Sequence, residues 1–507
     1  MENNMAAQET SRYCGTRRGF IKALGVGAAA LGGIQLIRML GGLHFGEARG
    51  EDAPARPNVV FIFIDDMGFA DPSCFGNPMM KTPAIDRLAA GGMRFTQFYV
   101  NSPICSPSRV AVTTGQYQQR FLIHSYFNSR SDNRRRGMVD FLAPDVLTIA
   151  DVFKSAGYAT AHFGKWHMGG GRDVEDAPTP AAYGFDEHLV NFEGIGNRIT
   201  GPKHTWTQTY VDKTLDFIRR HRDEPFFVRL FPNDVHDNHI PAPGEEKKWE
   251  SVTKNPFEQK FFAVLEEMDR QLGRVLDEID KLGLGERTLI IFTSDNGPTD
   301  WPKYYKQGWN PPGFVGCFRG RKWSLYEGGI RMPFIAKWKG KIAAGKTDDK
   351  TVFAAIDMLP TICRLVGLDV PKGLDGEDVS AALLGEPVKR QKPIFWEYGR
   401  RDGYLKPGKE DNCSPPLAIR DGDWKLLMNR DGSGVELYNL AEDPKESRNL
   451  ADSHTDVAES LKKKLAAWRA SMPELPADQQ ANAKTSIAYM PGKGVITPDG
   501  KPAPGVK

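Results

Sequence analysis

The run NVVFIFIDD (58–66) is apolar from Val59 to Ile64 and then stops at two adjacent aspartates. A strand with one wet face alternates, whereas an unbroken apolar run marks a strand covered on both faces. RTLIIFTSDNG (287–297) repeats the pattern, and EPFFVRLFPNDVH (224–236) and YATAHFGKWH (158–167) are looser versions of it. Between these runs, apolar positions recur at helical spacing in TPAIDRLAAGG (82–92), TIADVFKSAG (148–157), YVDKTLDFIRRH (210–221) and FAVLEEMDRQLGRVLDEIDKLG (262–283). Strand, helix, strand in this succession predicts an α/β fold: a large, mostly parallel central sheet flanked by helices.

Near residue 390 the texture changes. PIFWEYG, PPLAIRDGDWKLLMNR and VELYNL alternate more, are rich in aromatics and are separated by Gly/Asp turns, which predicts an antiparallel meander. DVAESLKKKLAAWRASM (456–472) then reads as an amphipathic helix. The pattern divides the chain into an N-terminal segment (1–56), an α/β domain (57–390), a smaller C-terminal α+β unit with an antiparallel sheet (391–475) and a Pro/Gly/Lys-rich tail (476–507) with little to bury.

Composition narrows the class without naming a function. The 67 basic side chains nearly balance 64 acidic ones, so no bulk field favours nucleic acid as a partner. The first segment carries Arg17-Arg18, then Phe20 and Lys22, then an uncharged Gly/Ala-rich stretch from Ala23 to Ile37. That stretch is too short and mild to span a bilayer. Its R-R-x-F-I-K order resembles a bacterial twin-arginine export signal, with EDAPARP (51–57) as the following linker. The expected location is the periplasm or the exterior, with the twin-arginine machinery as a partner. Five cysteines lie beyond the signal without C-x-x-C spacing, which argues against both a disulfide framework and a zinc knuckle.

Ligands of open α/β sheets bind beyond the carboxyl ends of the strands, so the residues there carry the chemistry. Asp65 and Asp66 end one strand, Asp295 and Asn296 another. Carboxylate and amide oxygens suit a hard divalent cation, and adjacent carboxylates repel unless a cation offsets them. Each pair alone equally suits a helix cap or a turn. Lys165 and His167 in FGKWHMGG end a third strand; His236 and His239 in NDVHDNHIP end a fourth. FRGRKWSLYEGG (318–329) adds Arg319, Arg321 and Lys322. Cations beside a divalent metal make sense when an anionic substrate bridges them.

NSPICSPSRVAVTTG (101–115) places Cys105 in a polar Ser/Pro loop ahead of an apolar, helix-like stretch. Cys105-Ser106-Pro107-Ser108-Arg109 matches C-x-P-x-R, with Thr114-Gly115 following. Together with the DD, GKWH, DNG, R-G-x-K and EGGIRMP segments, in that order, the chain resembles the type I, formylglycine-dependent sulfatases of the alkaline phosphatase superfamily over about residues 57–470.

The resemblance implies an activity, sulfuric ester hydrolysis, and export points to a sulfated carbohydrate met outside the cytoplasm as the substrate. It implies that a separate maturase oxidises Cys105 to Cα-formylglycine, whose hydrate attacks sulfur and regenerates the aldehyde when sulfate leaves. Asp65, Asp66, Asp295, Asn296 and modified Cys105 would hold one cation, calcium ahead of magnesium. Arg109 would orient the formylglycine diol, Lys165 and Lys322 would bind sulfate oxygens, and His167 would assist the diol. His236, chosen over His239, would protonate the leaving oxygen. Two alternatives stand beside this reading: phosphate or phosphonate ester hydrolysis on the same scaffold, and an inactive carbohydrate-binding relic. The aromatic loop DWPKYYKQGW (300–309) serves either sugar stacking or packing, and RSDNRRRG (130–137) either further anions or solvent.

Overall fold

The computed structural model of the chain describes residues 56–191, 193–401, 403–476 and 485–503. The expected export signal lies outside the described residues. Among the described residues no helix is long and apolar enough to cross a membrane.

The main sheet comprises β1 (Asn58–Ile64), β2 (Met93–Tyr99), β3 (Ala159–Gly164), β4 (Glu187–Val190), β5 (Phe226–Phe231), β6 (Thr288–Ser294), β7 (Arg331–Lys337), β8 (Lys346–Asp348) and β9 (Phe353–Ala354). Their order is β4-β3-β5-β1-β6-β7-β2-β8, with β9 also pairing β2. Pairings from β4 through β6 are all parallel, and β7 runs antiparallel to both β6 and β2. The sheet is therefore mostly parallel, as the sequence predicts.

Alternate residues of β1 feed two cores. Val59, Phe61 and Phe63 enter one, and Val60, Ile62 and Ile64 the other. That division is why the run is apolar without a break. Helices α1 (Pro83–Ala90), α2 (Cys105–Thr114), α3 (Ile149–Ser155), α4 (Trp206–Arg220), α5 (Pro256–Lys281) and α6 (Met358–Leu365) cover the two faces. The first core takes side chains of α2, α3 and α6; the second takes those of α1, α4 and α5.

β10 (Ile394–Glu397), β11 (Leu417–Asp421), β12 (Trp424–Met428) and β13 (Glu436–Asn439) form an antiparallel sheet in chain order. Helix α7 (Thr455–Ala470) packs on it, with Trp468 stacked on Phe395 at 5.0 Å between ring centroids. Fully buried Lys425 of β12 bridges Glu327, at 2.9 Å, and Glu446, at 2.8 Å. Glu327 lies just before β7, so this ion cluster joins the small sheet to the large one.

The tail differs from the expectation that it has little to bury. β14 (Ala488–Met490) and β15 (Gly494–Ile496) form a hairpin, and Ile487, Ala488, Val495 and Ile496 are buried. The Asp140 N–H donates to Ile487 O at 2.7 Å, and the Ile487 N–H donates to Asp140 Oδ2 at 2.9 Å. The tail's few apolar residues are enough because the main domain supplies the other half of the contact.

Candidate active site

β1 and β6 are hydrogen-bonded neighbours at the middle of the sheet, in register from Asn58↔Thr288 to Ile64↔Ser294. Their ends therefore coincide, and Asp65-Asp66 meets Asp295-Asn296. The Asp295 N–H donates to Ile64 O at 3.0 Å, and the Asp66 N–H donates to Asp295 Oδ1 at 3.1 Å. Asn296 Nδ2 donates to Asp66 Oδ1 at 2.7 Å. Gly297 is needed beside them: a Cβ there would sit 2.1 Å from Gly328 O, so any side chain would push the two loops apart.

Each carboxylate meets a cation from a different element. Lys165, just past β3, places Nζ 2.8 Å from Asp65 Oδ2. Lys322 places Nζ 2.6 Å from Asp66 Oδ1. Arg109 of α2 places Nη2 2.7 Å from Asp295 Oδ2 and 3.3 Å from Asp65 Oδ1. These six side chains are buried. Three carboxylates in one dry pocket repel, and their titration splits accordingly. Asp295 is pushed up first by burial, with Asp65 and Asp66 adding and Arg109 opposing. Burial also works to raise Asp65, but Lys165, His236 and Arg109 hold it well below the usual carboxylate range.

Cys105 is not in a loop. It opens α2 and is buried, as is every residue of that helix. Pro107 is tolerated because first-turn N–H groups have no intrahelical acceptor to lose. Burial would raise the Cys105 thiol, but Lys165 and His167, with Lys322, bring it down to about 6. A thiol in that setting is neither a core filler nor an inert partner.

His236 Nε2 lies 3.1 Å from Lys322 Nζ and 3.6 Å from Asp66 Oδ2. Its ring is held well below the ordinary histidine pKa, mainly by burial and then by Lys322. His239 turns away: its Nε2 meets Val235 O at 2.9 Å and its ring packs edge-on against Phe261. The structure brings His236, rather than His239, to the cluster.

Several sequence candidates prove structural. Arg321 donates to the carbonyls of Thr299, Gly313 and Pro311. Arg319 covers the Tyr326 ring. In 130–137, Arg134 is buried against Asp140 and Arg136 lies over Tyr126. In 300–309, Trp301 packs on Trp323 and Tyr304 on Phe257, leaving Trp309 the exposed ring. One site residue escaped the sequence reading. Glu193, beyond the end of β4, lies with Oε2 2.9 Å from His167 Nε2. A short, partly exposed edge strand gives no apolar run to point at it.

The donor set fits a divalent cation. Asp65, Asp66 and His236 present ligand atoms within 4.8 Å of one another. Asn296 Oδ1 is buried beside them without a hydrogen-bond partner among the described groups. Orphaned oxygen and crowded carboxylates are what a hard cation relieves. A buried cluster of carboxylates and cations at the carboxyl ends of a mostly parallel sheet has the makings of a hydrolase for anionic esters.

Comparison with known proteins makes the class specific. The sulfatase family profile matches residues 57–368, and the profile for the C-terminal part of N-sulphoglucosamine sulphohydrolase matches 315–471. The chain is 28% identical over 503 positions to an N-acetylgalactosamine-6-O-sulfatase of Bacteroides thetaiotaomicron, covering 81% of this chain and 92% of that one. It is 30% identical over 467 positions to arylsulfatase A of Homo sapiens, covering 80% and 86%. A solved structure from glycosaminoglycan metabolism by Bacteroides thetaiotaomicron superposes with a TM-score of 0.67 at 25% identity, over 82% of this chain and 100% of that one. The chain belongs to the sulfatase family, whose members use a formylglycine and a divalent metal. It is accordingly a sulfuric ester hydrolase.

Proposed function

We propose that this enzyme removes sulfate from a sulfated carbohydrate, with residue 105 as nucleophile after oxidation of Cys105 to Cα-formylglycine. The observation that carries the proposal is the setting of Cys105, buried at the start of α2 under the field of Lys165, His167 and Lys322. The carbohydrate class is supported by a relative named for N-acetylgalactosamine-6-O-sulfate chemistry.

A divalent cation, calcium ahead of magnesium, held by Asp65, Asp66, Asp295, Asn296 and residue 105, would supply Lewis acidity to the ester and to the nucleophile. Hydrated formylglycine would supply the attacking hydroxyl. Lys165 and Lys322 bind the sulfate oxygens, and their charge grows in value as negative charge builds on them. Arg109, pinned by Asp295 and Asp65, orients residue 105 from within its own helix. His167 takes a proton from residue 105, and His236, whose lowered pKa makes its protonated form the stronger acid, gives one to the leaving oxygen. Asp65, Asp66 and Asp295 against Arg109, Lys165 and Lys322 balance in charge, so a bound dication leaves the pocket positive for a sulfate monoester.

A formylglycine-generating maturase and the twin-arginine exporter are the implied partners. Because Cys105 is buried in the folded chain, the maturase must act on the segment before α2 docks. The test is sulfate release from defined sulfated oligosaccharides, with nitrophenyl sulfate and a phosphonate monoester in parallel. Release from a sulfated sugar supports the proposal. Turnover confined to the phosphonate overturns it.

A further inference from the structure

His167 is held by Glu193 from two sides. The His167 N–H donates to Glu193 O at 2.8 Å, and Nε2 lies 2.9 Å from Glu193 Oε2. Phe127 O stands 3.2 Å from the same Nε2. Two oxygens that can only accept require a proton on that nitrogen. Nδ1 is buried and has no hydrogen-bond partner among the described groups, so in the neutral ring it is the nitrogen that carries the lone pair. Burial works to lower the ring, but the Cys105 thiolate and then Glu193 raise it to about 9; oxidised residue 105 carries no thiolate, which leaves Glu193 as the anion beside the imidazole.

The backbone fixes the ring as well. His167 has a φ of 50°, in the left-handed region a non-glycine residue seldom adopts, and the Glu193 carbonyl anchors it there. Glu193 is itself held: its N–H donates to Asn191 Oδ1 at 3.1 Å, and Oε1 lies 3.5 Å from Arg172 Nη2. Burial would raise its carboxyl, yet His167, with Lys165 and Arg172, brings it down to about 2. The carboxylate is charged throughout any working pH.

We infer that Glu193 is a positioning residue for catalysis: it fixes His167 with Nε2 protonated, leaves Nδ1 to take the proton of residue 105, and balances the resulting imidazolium. The proton passes from the hydroxyl oxygen of residue 105 to Nδ1, and the O–H electron pair stays on oxygen. The row Glu193, His167, residue 105 follows the logic of acid–histidine–nucleophile triads, which are defined by geometry rather than sequence order. The inference rests on the reading that His167 acts on residue 105, and the experiment separates the two.

Enzyme co-expressed with a formylglycine-generating system is assayed on nitrophenyl sulfate as wild type, Glu193→Gln, Glu193→Asp and His167→Asn. Glu193→Gln should lower kcat about 100-fold, with KM within about two-fold and an unchanged melting temperature. Glu193→Asp, which keeps the charge, should recover part of that loss. A kcat for Glu193→Gln within about two-fold of wild type, with His167→Asn inactive, overturns the role of Glu193 and leaves that of His167 standing. Wild-type turnover in His167→Asn overturns both. Should Glu193→Gln fail to fold, the ¹⁵N-histidine spectrum of the wild-type enzyme decides, with the His167 signal assigned by its loss in His167→Asn. Nε2 must be protonated, and an unprotonated Nε2 refutes the inference.

Discussion

Arg109 Nη2 lies 2.7 Å from Asp295 Oδ2, and both side chains are fully buried. The pair ties α2, which begins with Cys105, to the end of β6. Arg109→Ala would leave a carboxylate cluster short of one counter-charge, which typically costs about 3–5 kcal/mol. The expected result is a melting temperature lower by several degrees and loss of activity. Arg109→Lys should not rescue it, because an ammonium cannot span Asp295, Asp65 and the Lys165 carbonyl as the guanidinium does. Calorimetry of the three proteins checks this.

The metal reading predicts linkage. Chelation should lower the melting temperature and abolish turnover, and calcium should restore both. At 100 times its Kd a ligand stabilises the fold by about 2.7 kcal/mol. Asp66→Asn should be inactive and insensitive to added calcium in the same thermal scan. A melting temperature identical with and without chelator would count against a bound cation.

The two histidines of NDVHDNHIP should separate by leaving group. His236→Ala should slow an alkyl sulfate of a sugar far more than nitrophenyl sulfate, whose leaving oxygen needs little protonation; a loss of about 10²–10⁴-fold is expected on the sugar. His239→Ala should change kcat little on either substrate. Steady-state rates on the two esters decide, and equal effects at both positions would contradict the assignment.

The Lys425 cluster predicts a pH dependence of stability. Glu446 is raised from 4.5 to about 7, chiefly by burial and then by Glu327, against Lys425. A raised carboxyl contributes stability that is present below its unfolded pKa and lost as pH rises through its folded one. The wild-type melting temperature should therefore fall, relative to Glu446→Gln, as pH rises from 4.5 to about 7. Burial works to raise Glu327 as well, but Lys425 and Arg331 hold it at about 2, so its contribution is present above pH 4.5 and lost as pH falls from there to about 2. Parallel curves for wild type and Glu446→Gln across that window would refute the assignment.

The site was legible where strands are central. β1 and β6 are buried on both faces, so their apolar runs stand out and their ends point to Asp65, Asp66, Asp295 and Asn296. β2 was missed because Arg94 and Gln97, both half-buried, interrupt its apolar positions. The start of α2 was misplaced because Ser, Pro and β-branched residues are poor helix formers; complete burial of the helix overrides that preference. Glu193 had no local signal at all. Its partner lies 26 positions earlier in the chain, and only the pairing of β3 with β4 brings the two together.

The most direct test of the account is the mass of the tryptic peptide carrying Cys105, taken from enzyme of known specific activity on a sulfated oligosaccharide. Conversion to formylglycine replaces SH and H by an aldehyde oxygen, so the peptide should be about 18 Da lighter. The lighter fraction should rise in proportion to activity across preparations with and without the maturase. A fully active enzyme whose peptide retains the cysteine mass would contradict the central claim.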